Sequence, residues 1–160
     1  MTVRWQAACA AALRTGVGAY LLFAAGAKLL VIDAGGAGPA YGLSLFASVL
    51  ERQRVVPASS APRVALAIIV IELVVGAWLL AHVRARHAAA AAISLLIVFA
   101  GYLLLAYRQV GNADCGCLGK ISSASLGAAL LRNAVLGLAL VPTFPRIGQS
   151  ADELGAPARS

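Results

Sequence analysis

Charge is scarce in this sequence. Only 12% of its 160 residues are Asp, Glu, Lys or Arg, against about 25% in an ordinary soluble domain. So few charges cannot cover a water-facing globule of this size, and the mean hydropathy of +0.88 agrees. The apolar surface must meet a lipid bilayer. Acids are scarcer still: 6 Asp and Glu stand against 13 Lys and Arg, a formal charge of +7. The bases are mostly single, between greasy runs, with no basic helix and no aromatic platform. That pattern excludes nucleic acid as a partner, and basic residues flanking membrane spans account for the charge. Cysteine is sparse as well. Three cysteines make no disulfide framework. Cys9 stands alone in an apolar segment and reads as a small hydrophobe, whereas Cys115 and Cys117 form the one local pair.

What the chain does have is long apolar runs. Four of them, at roughly 12–32, 64–82, 88–107 and 124–141, approach the ~20 residues that cross ~30 Å of hydrocarbon. The first begins near Arg4, is interrupted by Arg14 and continues past any small-residue cleavage site, so it reads as an uncleaved span. The expected fold is an all-α integral membrane four-helix bundle. It forms one transmembrane domain over residues 1–141, followed by a loose tail over 142–160 rich in Pro and Gly. In the longest connection, 33–63, the Gly/Pro cluster "DAGGAGPA" breaks the chain, and 41–56 is expected to add a short interfacial helix.

Four spans put both termini on one face. The terminal face with the 82–87 loop holds Arg4, Arg14, Arg84, Arg86, Arg146 and Arg159; the other holds Arg52, Arg54, Arg63, Arg108 and Lys120. The dense pair Arg84 and Arg86 favours cytoplasmic termini. That choice places Cys115 and Cys117 outside, where disulfide chemistry is at home. His82 and His87 then fall in the opposite loop, as solvated side chains.

Charges within spans are costly and need a partner or a function. Lys28, Glu72 and Arg132 are such charges, and Asn133 adds an amide. Glu72 and Arg132 each lie about eight residues into their spans, ~12 Å deep, so they are expected to pair. Lys28, nearer its span's end, either snorkels or joins them. Two readings stay open: a structural ion pair, or a polar floor serving proton transfer or a bound headgroup. Gly16, Gly18, Gly26, Gly76, Gly101, Gly127 and Gly137 suit close helix packing in lipid.

The segment "GNADCGCLGK" (111–120) is the chemical candidate. A disulfide needs Cα atoms about 4.4–6.8 Å apart, which residues two apart reach only across a sharp bend. Gly116 permits that bend, and Gly119 loosens the same loop. A bond so formed closes almost no loop and stabilises little. It is strained and exchanges readily, which makes it a redox pair. Lys120 favours thiolate; Asp114 opposes it and can carry a proton. A metal site shared with a partner, and two reduced thiols without a role, are the other readings. Cys9 and both histidines lie across the membrane from this loop, so the chain supplies too few ligands there for a structural zinc.

The order of these motifs is that of a known family. "AAGAKLL" with Gly26 and Lys28, "IELVVGAWLL" with Glu72, then "DCGCLG" and "LLRNAVLGLAL" with Arg132 and Asn133 together resemble the MauE family. These are the methylamine-utilisation membrane proteins, within the wider DoxX-like group. The resemblance covers roughly 12–141. It implies a four-helix bundle in the bacterial inner membrane that supports disulfide formation in periplasmic proteins. The name-giving members are linked to maturation of the disulfide-rich small subunit of methylamine dehydrogenase, alongside a thioredoxin-like partner. Carried onto this chain, Cys115 and Cys117 are the redox pair, and Arg132 with Asn133 the polar element of the fourth span. Leu118 stands where the family often has an aromatic residue. With one pair and a distant Cys9, an internal cysteine relay is not available. Either the pair meets a membrane quinone, or a partner supplies the second pair. The alternative function is a non-enzymatic anchor or assembly subunit of a redox complex, with structural or metal-binding cysteines.

Overall fold

The computed structural model describes residues 2–30, 32–33, 36–111 and 125–144. Its helices are α1 (Thr2–Leu29), α2 (Pro39–Arg52), α3 (Ala61–Leu80), α4 (Ala85–Val110) and α5 (Leu126–Leu140), the last continuing as a 3-10 turn at Val141–Thr143. Apart from turns and a lone bridge position at Ser125, the described residues are helical, with one short β pairing between α1 and α2. There β1 (Ile32–Asp33) and β2 (Gly36–Ala37) pair antiparallel, Ile32 opposite Ala37.

Four stretches are long and apolar enough to cross a membrane: Trp5–Leu29, Ala61–Leu80, Ala85–Val110 and Leu126–Thr143. Their bounds differ from the expected ones for local reasons. α1 starts earlier because the Ala-rich run after Trp5 is strongly helix-forming, and it stops before the β-bridge. α3 starts earlier because Pro62 suits a first turn, where its missing N–H is no loss. α4 runs on to Gly111, whose φ of 71° ends it. α5 starts two residues later, where the Ser125 hydroxyl accepts a hydrogen bond from the Ala128 N–H at 3.3 Å. The tail expected from Pro142 begins with the 3-10 turn; residues 145–160 lie outside the described residues.

α1 packs on α3 and α5, and α4 packs on the same two, so the spans close into a ring. The interior mixes small residues, including Ala25, Ala65, Ala88, Ala92 and Ala129, with large ones such as Leu50, Ile69, Leu79 and Leu103, all of them buried. Other large apolar side chains point outward: Ile97, Val98, Leu131 and Leu138 are each at least 66% exposed. An exposed girdle of this kind is stable against hydrocarbon and not against water. The short helix expected at 41–56 is α2, which begins at Pro39, ends at Arg52 and buries Gly42, Phe46, Ala47 and Leu50 on one stripe. That stripe packs with Ala25 of α1 and Ala61, Ala65 and Ile69 of α3.

Only part of the glycine expectation holds. Gly18 and Gly76 face each other: a Cβ on Gly18 would meet Leu79 Cβ at 3.0 Å, and one on Gly76 would meet the Gly18 carbonyl at 3.0 Å. Gly16, Gly26, Gly101 and Gly137 have open space there. Gly18→Ala is therefore expected to destabilise the purified protein by about 1–3 kcal/mol through overpacking. Gly16→Ala is expected to gain about 0.5–1 kcal/mol from helix propensity. Thermal unfolding in detergent measures both, and equal effects would contradict the close α1–α3 approach.

Candidate functional site

The site grows from α1 and α3. Their close approach at Gly18 and Gly76 sets the two helices side by side. A side chain on α1 leans toward the helix N-terminus, so Lys28, near the end of α1, reaches back into the bundle. Its Nζ donates to Glu72 Oε1 at 2.9 Å and Oε2 at 2.7 Å, and to the Ala24 carbonyl at 3.3 Å. All three ammonium donors are thereby used. The same ammonium lies 5.4 Å from the centre of the Phe46 ring of α2. Lys28 is 1% exposed and Glu72 6%.

This corrects the expected partnership. Glu72 pairs with Lys28, not with Arg132, and Lys28 does not snorkel to an interface. The equal-depth count placed Arg132 beside Glu72, but α3 begins at Ala61 and α5 at Leu126. From those starts Glu72 is about 16 Å along its helix and Arg132 about 9 Å. The Arg132 guanidinium instead lies over the Tyr20 ring, 5.6 Å from its centre. It forms no ion pair with a described carboxylate.

Between the four spans is a cavity of about 20 Å³. Tyr20, Glu72, Arg132 and Asn133 supply its polar wall; Leu21, Ala24, Leu95, Leu96, Phe99 and Leu136 supply the rest. The structure thus brings Glu72, Arg132 and Asn133 onto one cavity, with Lys28 joined through Glu72. Asp114, Cys115, Gly116, Cys117 and Gly119 lie outside the described residues, as does Lys120. The segment that holds them joins α4 to α5 at the end of the bundle where α2 lies. There Leu103, Ala106, Leu126 and Ala129 cluster with Val55.

Tyr20 was missed in the sequence. The signal available was its place two helical turns before Lys28, on the stripe that i, i+4, i+8 spacing makes. Gln53 was missed too. It is buried, and it accepts a hydrogen bond from the Tyr102 hydroxyl, tying the end of α2 to α4. At the opposite end His82, expected to be solvated, hydrogen-bonds Arg14, and the Trp78 indole donates to the Val83 carbonyl at 3.0 Å. Cys9 is exposed there, on the outer face of α1. Among the described residues no three His, Cys, Asp or Glu gather as metal ligands.

A ring of four apolar helices closed round one buried ion pair defines a multi-pass membrane protein. The family can be given more narrowly. The model of the family described as methylamine utilisation protein MauE matches residues 6–144, and the chain belongs to that family. No curated protein and no solved structure matches it in the same comparisons.

Proposed function

We propose that this protein is an inner-membrane thiol–disulfide redox protein that supports disulfide formation or maturation of periplasmic proteins. Methylamine dehydrogenase is the type of client the family points to. The observation that carries this reading is the family match over residues 6–144, which takes in the single cysteine pair, Cys115 and Cys117. In this reading one transmembrane domain spans residues 1–141, with a tail at 142–160. The termini are cytoplasmic and the cysteine segment is periplasmic.

The chemistry is an exchange. A client thiolate attacks one sulfur of the Cys115–Cys117 disulfide, and a second client thiol displaces the resulting mixed disulfide. The client leaves oxidised, with Cys115 and Cys117 as two thiols. Regeneration removes two electrons and two protons, and Asp114, adjacent in sequence, is the residue this reading assigns to carry a proton. The acceptor in this reading is either a membrane quinone that meets the pair directly and leaves as quinol, or the second cysteine pair of a thioredoxin-like partner, whose disulfide becomes a dithiol. Lys28, Glu72, Arg132 and Asn133 form the polar layer that holds the bundle beneath.

The double variant Cys115→Ser with Cys117→Ser is expected to lower periplasmic disulfide formation to the level of cells lacking the protein. Thiol labelling in membranes should find the wild-type pair largely oxidised. Fully reduced cysteines in vivo, together with full activity of the double variant, would sink the reading. A reporter fusion after Lys120 that scored cytoplasmic would do the same.

A further inference from the structure

The ion pair of Lys28 and Glu72 is complete in itself, and it leaves Arg132 over. At this cavity the charged groups are thus two cations, Arg132 and, through its pair, Lys28, and one anion, Glu72. An uncompensated cation in hydrocarbon is costly, and Arg does not shed its proton. Its neighbours add to the demand. Arg132 Nε, Asn133 Nδ2 and the Tyr20 hydroxyl are each buried and find no acceptor among the described residues. Asn133 is 5% exposed, and all three residues line the one cavity. A buried donor without an acceptor costs about 1–3 kcal/mol. Here two spans, α1 and α5, supply such donors to the same small space.

Donors of this kind select their occupant. The Glu72 carboxylate, which lines the same cavity, is already engaged by Lys28, while Arg132 Nε, Asn133 Nδ2 and the Tyr20 hydroxyl keep unmet donor capacity, so the site favours an occupant that brings acceptors. The surplus positive charge favours one that is negative. The volume, about 20 Å³, exceeds the roughly 10–15 Å³ that one water-sized group needs, and it does not admit a phosphate with its shell. The apolar wall of Leu95, Leu96, Phe99 and Leu136 suits a group with a hydrocarbon side. A carboxylate meets each condition: two oxygens, about four lone-pair sites, one negative charge and no donor.

We propose that this cavity is a binding site for a small carboxylate, held by Arg132, Asn133 and Tyr20. Its sources are a soluble carboxylate or the head of a lipid-borne fatty acid. The site does not depend on the thiol–disulfide reading, since no cysteine takes part.

The test uses the full chain purified in detergent. Binding of ¹³C-formate is followed by saturation-transfer NMR, and binding of a fatty acid added to the micelles by thermal shift. Saturable formate binding is expected, weakened about tenfold in Asn133→Leu and about a hundredfold in Arg132→Gln. If only the fatty acid binds, with the same dependence on the two substitutions, the carboxylate site stands and its source is the membrane. Asn133→Leu preserves size and charge, so it serves where Arg132→Gln does not fold. No saturable binding of either probe, or binding indifferent to both substitutions, overturns the proposal.

Discussion

Glu72→Leu is expected to cost about 3–5 kcal/mol of folding stability, because it leaves the Lys28 ammonium buried without its partner. Lys28 is 1% exposed, and both of its strongest hydrogen bonds go to Glu72. Its remaining contacts, the Ala24 carbonyl and the Phe46 ring, do not neutralise a charge. Lys28→Met should cost a similar amount by stranding the carboxylate. The double variant Lys28→Met with Glu72→Leu removes both charges and fills the space with apolar volume. It is expected to return to within about 1 kcal/mol of wild type, or to exceed it. Denaturant or thermal unfolding in detergent gives the full double-mutant cycle. Additive losses in the double variant would show that the two side chains do not act as a pair.

Gly42→Ala is expected to have the second large effect. α2 lies against the end of α1 at Gly42, where an added Cβ would sit 2.6 Å from the Leu29 carbonyl oxygen and also strike that of Lys28. Both obstacles are backbone, so neither can rotate away, and α2 must lift. Lifting α2 withdraws Phe46, Ala47 and Leu50 from Ala25, Ala61 and Ala65. The expected loss is about 1–3 kcal/mol from overpacking alone, with the Phe46 ring drawn off Lys28 in addition. Gly26→Ala on α1, with open space at its Cβ position, is the matched control and should be neutral or slightly stabilising. Hydrogen exchange of α2 amides separates the two: faster exchange confined to α2 is expected for Gly42→Ala, and unchanged exchange would contradict the docking.

Much of the architecture was legible beforehand because the bilayer imposes a simple rule. A span must satisfy its backbone internally and be apolar for about 20 residues, and the four runs announce themselves by composition alone. Ends were less legible. They depend on single residues such as Pro62, Gly111 and Ser125, whose effects act within one turn. The buried charges were visible as Lys28, Glu72, Arg132 and Asn133, since any charge in such a run stands out.

Their partnership was not visible. Depth counted along separate helices carries an error of several ångströms, and it ignores which helices are neighbours. It favoured Glu72 with Arg132, whereas the side-by-side packing of α1 and α3 gave Glu72 to Lys28. Glycine shows the same division. Seven span glycines look alike in the sequence, yet Gly18 and Gly76 lie at a close crossing while Gly16, Gly26, Gly101 and Gly137 have open space, and the tightly constrained Gly42 is on α2.

By itself, then, the sequence determined the solvent this protein folds in, the number of its crossings, its family motifs and the identity of its one cysteine pair. Those properties are local or compositional, and hydrocarbon leaves few alternatives. Tertiary structure alone decided that Lys28 closes on Glu72, that Arg132 turns to Tyr20, and that three donors from two helices share one cavity. Such facts depend on which faces meet across the bundle. Small residues at the crossings set those faces to within an ångström, and no periodicity along a single helix encodes that.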